Sequence, residues 1–209
     1  MSSRNAIITI GRQTGSGGRS IGRQIAKKLN VPFYDKELLE RAAKESGLCK
    51  EIFEENDEKP TNSFLYSLVM DGFSYGYSSP IGGDMPMDHK LFIAQFNTIK
   101  KIAAEGSCVI VGRCADYALA GNPGLLSVFI HGNTDDRVRR LMKLYDLKEN
   151  KARELILKTD KKRSSYYNYY TDKRWGSAFS YDLCLNSSAF GLEGCAEAIM
   201  HAAEAKGIL

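Results

Sequence analysis

AIITIGRQTGSGGRSIGRQIAKKL, residues Ala6–Leu29, changes its periodicity twice along its length. Ile7-Ile8-Thr9-Ile10 is a short β-branched apolar run, the composition of a buried strand. Gly11 to Gly18 is a glycine-rich turn, and beyond it Ile21, Ile25 and Leu29 recur at the spacing of one helix face. Strand, glycine loop and helix start, in that order, bind phosphate. Glycines let the backbone N–H groups turn inward, and the helix start adds its unpaired N–H groups and the positive end of its dipole. The candidate contacts are Thr14, Gly15, Ser16, Gly17, Gly18, Arg19 and Ser20.

The loop departs from the phosphate-loop consensus G-x-x-x-x-G-K-[ST]. With Gly17 as its second glycine, Arg12 stands where the first glycine belongs and Gly18 where the lysine belongs. Arg19 and Ser20 follow, so the expected cation arrives one residue late and the hydroxyl lies beside it.

The length of 209 residues fits a single α/β domain. Its expected core covers about 1–55 and 90–209, with an inserted arm over about 56–89 and a basic segment over about 148–175. The sequence contains no run long and apolar enough to span a membrane, and MSSRN is too polar to open a signal peptide. A cytoplasmic protein is the simplest expectation. The five cysteines are scattered without a C-x-x-C pair, which argues for buried thiols over a metal or redox site. No metal ligands are assigned, and the three histidines show no triad partners.

The net charge of +4 conceals an asymmetry. Between Arg137 and Arg174 there are 13 Lys+Arg against 5 Asp+Glu, leaving 16 against 20 elsewhere. A basic segment next to a phosphate loop points to an anionic ligand.

Further along, Val31-Pro-Phe-Tyr34-Asp35 reads as a short strand and Lys36–Ser46 as a helix stopped by Gly47. Residues 56–88 are rich in Ser, Gly, Tyr and Met, the composition of a mobile arm, with a short helix expected over 63–71. Leu91–Glu105 is an amphipathic helix, Cys108–Val111 and Leu125–Ile130 are apolar strands, and two basic helices cover 135–145 and 148–170. Tyr181–Asn186 reads as a last strand and Gly191–Ala205 as a closing helix. Alternating strands and helices predict a parallel sheet with helices on both faces, its ligands at the carboxyl ends of the strands. That edge should gather Gly11-Arg12, Asp35, Gly112-Arg113 and His131, and so bring Arg113 near the phosphate loop. The run Tyr166-Tyr-Asn-Tyr-Tyr170 suits a helix–helix seam better than a platform for a base.

In this order the segments IGRQTGSGGRSIG, FYDKELLER, CVIVGRCADY, SVFIHGNTDDRVRRL, DKKR and YDLCLN resemble the nucleoside monophosphate kinases, and among them the cytidylate kinase-like family. The resemblance covers residues 6 to about 200 apart from the arm. It implies a P-loop kinase fold with a helical lid and a mobile acceptor-side arm. It also implies transfer of the γ-phosphoryl group of Mg-ATP to a nucleoside monophosphate, cytidylate-like, or to a related phosphorylated small molecule. ATP and Mg²⁺ are the implied cofactors, the magnesium held mainly by phosphates and water.

Position by position, Asp35 and Arg41 keep the spacing of the family's D-S-G-x-x-Y-R stretch, while its serine, glycine and tyrosine are replaced. Gly112-Arg113 keeps the centre of D-G-R-D, whose arginine grips the acceptor phosphate; both acids are lost, and Asp116 is the nearest substitute. Asp160-Lys-Lys-Arg163 keeps the lid pair that contacts the acceptor. The resemblance therefore assigns Arg19, Arg113 and Arg163 to catalysis and Asp35, Arg41, Arg113, Asp160 and Arg163 to the acceptor, with Lys161 and Lys162 on the lid. Two other readings stand beside it. One is a nucleotide-binding sensor or regulator without turnover, favoured by the missing lysine. The other, nucleic-acid binding by the basic segment, ranks last.

Overall fold

The computed structural model describes residues 5–47 and 87–209. The expected arm lies outside them apart from residues 87–89, as do the expected helix over 63–71 and Cys49. In chain order the elements are β1 (Ile7–Arg12), α1 (Gly18–Leu29), β2 (Phe33–Tyr34), α2 (Lys36–Ser46), α3 (Met87–Glu105), β3 (Cys108–Val111) and α4 (Ala115–Ala118). They continue with β4 (Leu125–His131), α5 (Thr134–Tyr145), α6 (Glu149–Tyr170), a 3₁₀ turn (Ala178–Ser180), β5 (Leu183–Asn186) and α7 (Ser187–Ala205). The five strands form one parallel sheet in the order β2-β3-β1-β4-β5.

Side-chain alternation along the strands fills two cores. Ile8, Ile10, Val109, Val111, Val128 and Ile130 meet Ile21 and Ile25 of α1 and Ile199 of α7 on one face. Ile7, Cys108 and Ile110 meet Ile99 and Ile102 of α3 and Leu38 of α2 on the other. A strand with both faces covered has no polar side to present, which is why these runs read as continuously apolar. Burial in the second core pushes the Cys108 thiol up to about 12, keeping it protonated.

Several boundaries differ from the sequence reading. β1 runs two residues past Ile10, the last of its residues to pair with β3, because Gly11 and Arg12 continue to pair with Phe129 and Ile130 of β4. The second and last strands are shorter than expected, at Phe33–Tyr34 and Leu183–Asn186. The closing helix begins at Ser187, and Gly191 (φ 68°, ψ 177°) breaks it into two pieces. The short α4 was not foreseen; it follows two non-glycine residues in the left-handed region, Arg113 (φ 55°) and Cys114 (φ 54°).

Candidate active site

The loop between β1 and α1 is shaped by two left-handed glycines, Gly15 (φ 77°) and Gly17 (φ 84°). At Gly15 a Cβ would lie 2.7 Å from the backbone oxygen of Arg137, so the glycine also admits the close approach of α5. Ser16 is fully buried and turns the loop on itself, its hydroxyl donating to Gln13 O at 2.8 Å.

The outer side of the loop is held by α5 and α6. Arg137 Nε donates to Thr14 O at 2.8 Å, Arg140 Nη1 donates to Gly15 O, and Arg163 Nη1 donates to Thr14 Oγ1 at 3.1 Å. Thr14 N–H donates to Asp160 Oδ1 at 2.7 Å, and the other oxygen of Asp160 is paired with Arg137. A carboxylate resting on a loop N–H makes the type of contact a phosphate oxygen makes, so the donor chemistry of this loop suits an anion.

Beside the loop a cleft opens where β1 outruns β3. Arg12, Arg113 and Arg163 line it together with Asp116, and Tyr166, Tyr167, Trp175 and Tyr181 supply aromatic surface. The left-handed turn at Arg113-Cys114 folds the arginine back beneath the end of β3. There its Nη1 donates to Val111 O at 3.2 Å and to Asp35 Oδ1 at 3.3 Å. Arg113 is only 5% exposed. Asp35, also buried, takes Arg19 Nε on its second oxygen at 2.5 Å. Burial alone would push the Asp35 carboxyl up; the guanidiniums of Arg113, Arg12 and Arg19 together outweigh it and hold the acid below its ordinary value. Asp35 therefore stays charged and fixes two arginines at once.

Asp116 shows the opposite balance. Burial pushes its carboxyl above the ordinary value, although Tyr167 Oη donates to it at 2.7 Å and Lys173 lies 3.8 Å away. Burial also drives the Tyr167 phenol well up, so that hydroxyl remains a donor. The tyrosine run divides its work. Tyr170 is fully buried and stacks on Phe92 of α3, with ring centroids 4.1 Å apart, whereas Tyr166 and Tyr167 reach the cleft.

Most residues singled out in the sequence thus lie around one edge of the sheet. Thr14 to Ser20 form the loop and the first turn of α1, Arg19, Asp35 and Arg113 form a chain of ion pairs, and Asp160 and Arg163 reach Thr14. Arg41 is not brought into the cleft. It forks onto Glu105 of α3 and pairs with Glu45 at 2.8 Å, one helical turn along α2. Helical spacing places it there, because an i,i+4 carboxylate and a facing helix supply anions closer than the strand ends do. Asp160 and Arg163 both meet the loop at Thr14, and Asp160 also pairs with Arg137 of α5.

Sequence reasoning missed Arg137 and Arg140. Arg137 is 5% exposed and shares a helical face with buried Leu141, four residues on. A cation on an apolar stripe was the signal that could have found it.

A family model described as the cytidylate kinase-like family matches residues 7–189. The chain belongs to that family. Among solved structures, an uncharacterized protein from Eubacterium ventriosum is 29% identical over 95% of this chain and 98% of its own, with a TM-score of 0.71. Shikimate kinase from Bacteroides thetaiotaomicron is 18% identical, covering 95% and 98% at a TM-score of 0.51. Shikimate kinase from Acinetobacter baumannii, solved with shikimate, is 10% identical, covering 100% and 97% at 0.52. The fold is that of the P-loop kinases. A comparison with curated proteins returns no match. No helix of the described residues is long and apolar enough to cross a membrane.

Proposed function

We propose that this cytidylate kinase-like protein is an ATP-dependent phosphotransferase acting on a nucleoside monophosphate, cytidylate-like, or a related phosphorylated small molecule. The observation that carries the reading is the convergence of Arg12, Arg113 and Arg163 on one aromatic-walled cleft at the mouth of a phosphate loop. Phosphoryl transfer asks little covalent chemistry of a protein; it asks for in-line alignment and for cations around the moving charge.

Each residue then has a task. The backbone N–H groups from Thr14 to Gly18 and the start of α1 hold the phosphates of the triphosphate. Arg113, fixed by Asp35, presents its guanidinium to the acceptor's phosphate, and Arg19 acts through Asp35 as a positioning residue. Arg163 reaches in from α6 over Thr14, where closure of α6 excludes water from the transfer. The bond from the γ-phosphorus to its bridging oxygen breaks as the bond to an acceptor phosphate oxygen forms, and the charge passes to the departing diphosphate. Magnesium, when bound, neutralises phosphate charge; the Ser20 hydroxyl at the first turn of α1 suits a place beside it.

The test is Mg-ATP turnover against a panel of nucleoside monophosphates, extended to phosphorylated sugars, with Arg113→Ala alongside. Transfer to a panel member, lost in the variant, supports the reading. Tight ATP binding with transfer to none overturns the transferase and favours a nucleotide sensor, the alternative that the missing lysine at Gly18 supports.

A further inference from the structure

The loop lacks the consensus lysine, and Arg19, the cation next to it in sequence, is turned toward Asp35 and half exposed. The aliphatic stem of another cation, Arg12, occupies the space beside Gly18. A Cβ built at Gly18 would lie 2.7 Å from Cβ of Arg12 and 3.3 Å from its Cγ. Contacts below 3 Å are not tolerated by packed carbons, so the stem of any side chain at position 18 and the stem of Arg12 compete for one volume. Arg12 reaches that volume because β1 continues to pair with β4 beyond Ile10, which carries residue 12 to the edge of the loop. From there Arg12 lines the cleft with Arg113 and Arg163. The depression of the Asp35 carboxyl by Arg12 places its charge in the same field.

We infer that Arg12 and Gly18 have exchanged roles: Arg12, at the first-glycine position, is the cation for the terminal phosphates of a bound nucleoside triphosphate, and Gly18 is the glycine that makes room for it. The substitution is paired. Lysine at 18 requires a small residue at 12, and arginine at 12 requires glycine at 18. The forked guanidinium can engage two phosphate oxygens, where a lysine ammonium acts as a point charge.

This inference rests on the phosphotransferase reading for its ligand, and the experiment separates the two. Binding of Mg-ATP, and separately of inorganic tripolyphosphate, is measured by calorimetry for the wild type, Arg12→Ala, Arg12→Gly, Gly18→Lys and the double variant Arg12→Gly/Gly18→Lys. Arg23→Ala, a cation of α1 that lies over Phe33, serves as the control. Arg12→Ala and Arg12→Gly should weaken both probes about 10- to 100-fold, as expected for loss of charge-assisted hydrogen bonds. Gly18→Lys alone should lower the melting temperature and not improve binding, while the double variant should recover binding that Arg12→Gly lost. A melting cycle adds a readout without ligand: Gly18→Ala should destabilise the wild type and be tolerated in Arg12→Gly. Binding in Arg12→Ala within twofold of wild type, or a double variant no better than Arg12→Gly, overturns the exchange while leaving the transferase standing. A wild type that binds neither probe overturns both.

Discussion

Arg113 and Arg41 were expected to grip the same acceptor phosphate, and the fold treats them in opposite ways. Arg113 follows a buried strand, is turned inward at a left-handed step, and meets the Asp35 carboxylate that Arg19 also pairs with. Arg41 sits mid-helix and is saturated by two surface glutamates. The Arg113 guanidinium lines the cleft at the strand ends, whereas the Arg41 guanidinium is forked onto a carboxylate of a neighbouring helix. Position at a strand's carboxyl end, more than residue type or motif spacing, separates a candidate contact from a surface ion pair.

The contrast is tested most sharply by activity. Arg113→Ala should lower kcat/KM for the phosphorylated acceptor by about 10²- to 10³-fold, the scale of losing one preorganised charge contact. Arg41→Ala should leave it unchanged. A comparable loss in both would break the distinction, and would return Arg41 to the site through a rearrangement of α2.

Next in size is Asp35→Asn. Removing the acid takes the Asp35 counter-charge from buried Arg113, at a cost of about 3 kcal/mol in urea unfolding. Because folding lowers the Asp35 pKa, its contribution is fully present above the ordinary value of 3.8 and fades as pH falls through the depressed one. The wild type's advantage over the variant should therefore shrink on acidification below that range. A constant gap would detach the stabilisation from the Asp35 charge.

A smaller effect of opposite sign belongs to Asp116. Folding raises its pKa, so the wild type should lose stability relative to Asp116→Asn as pH climbs from 3.8 through the raised value. Parallel melting temperatures across that window would mean that Lys173 and Tyr167 compensate the buried charge in full.

Much of the fold was readable because its signals are local. Ile7–Ile10, Cys108–Val111 and Leu125–Ile130 are apolar on both faces apart from buried Thr9 and Ser127, and glycines punctuate the loop and the end of α2. The strand-end rule then placed Arg113 close to the loop. Contacts across space were not readable. The competition of Arg12 with position 18 depends on how the loop closes six residues apart, and the grip of Arg137 and Arg140 on Thr14 and Gly15 joins segments more than a hundred residues apart in sequence. The motif therefore pointed to Arg19 as the replacement cation, one residue from the gap, whereas the structure puts Arg12 against it.

The Thr14 N–H that donates to Asp160 has kinetic weight. One donor cannot serve a carboxylate and an incoming phosphate oxygen in line at the same moment, so under the proposed phosphotransferase reading a nucleotide would wait for α6 to release the loop. In stopped-flow mixing, the observed binding rate should rise with ATP and then level off at the frequency of that release. Asp160→Asn, which weakens the latch by removing its charge, should lift the plateau.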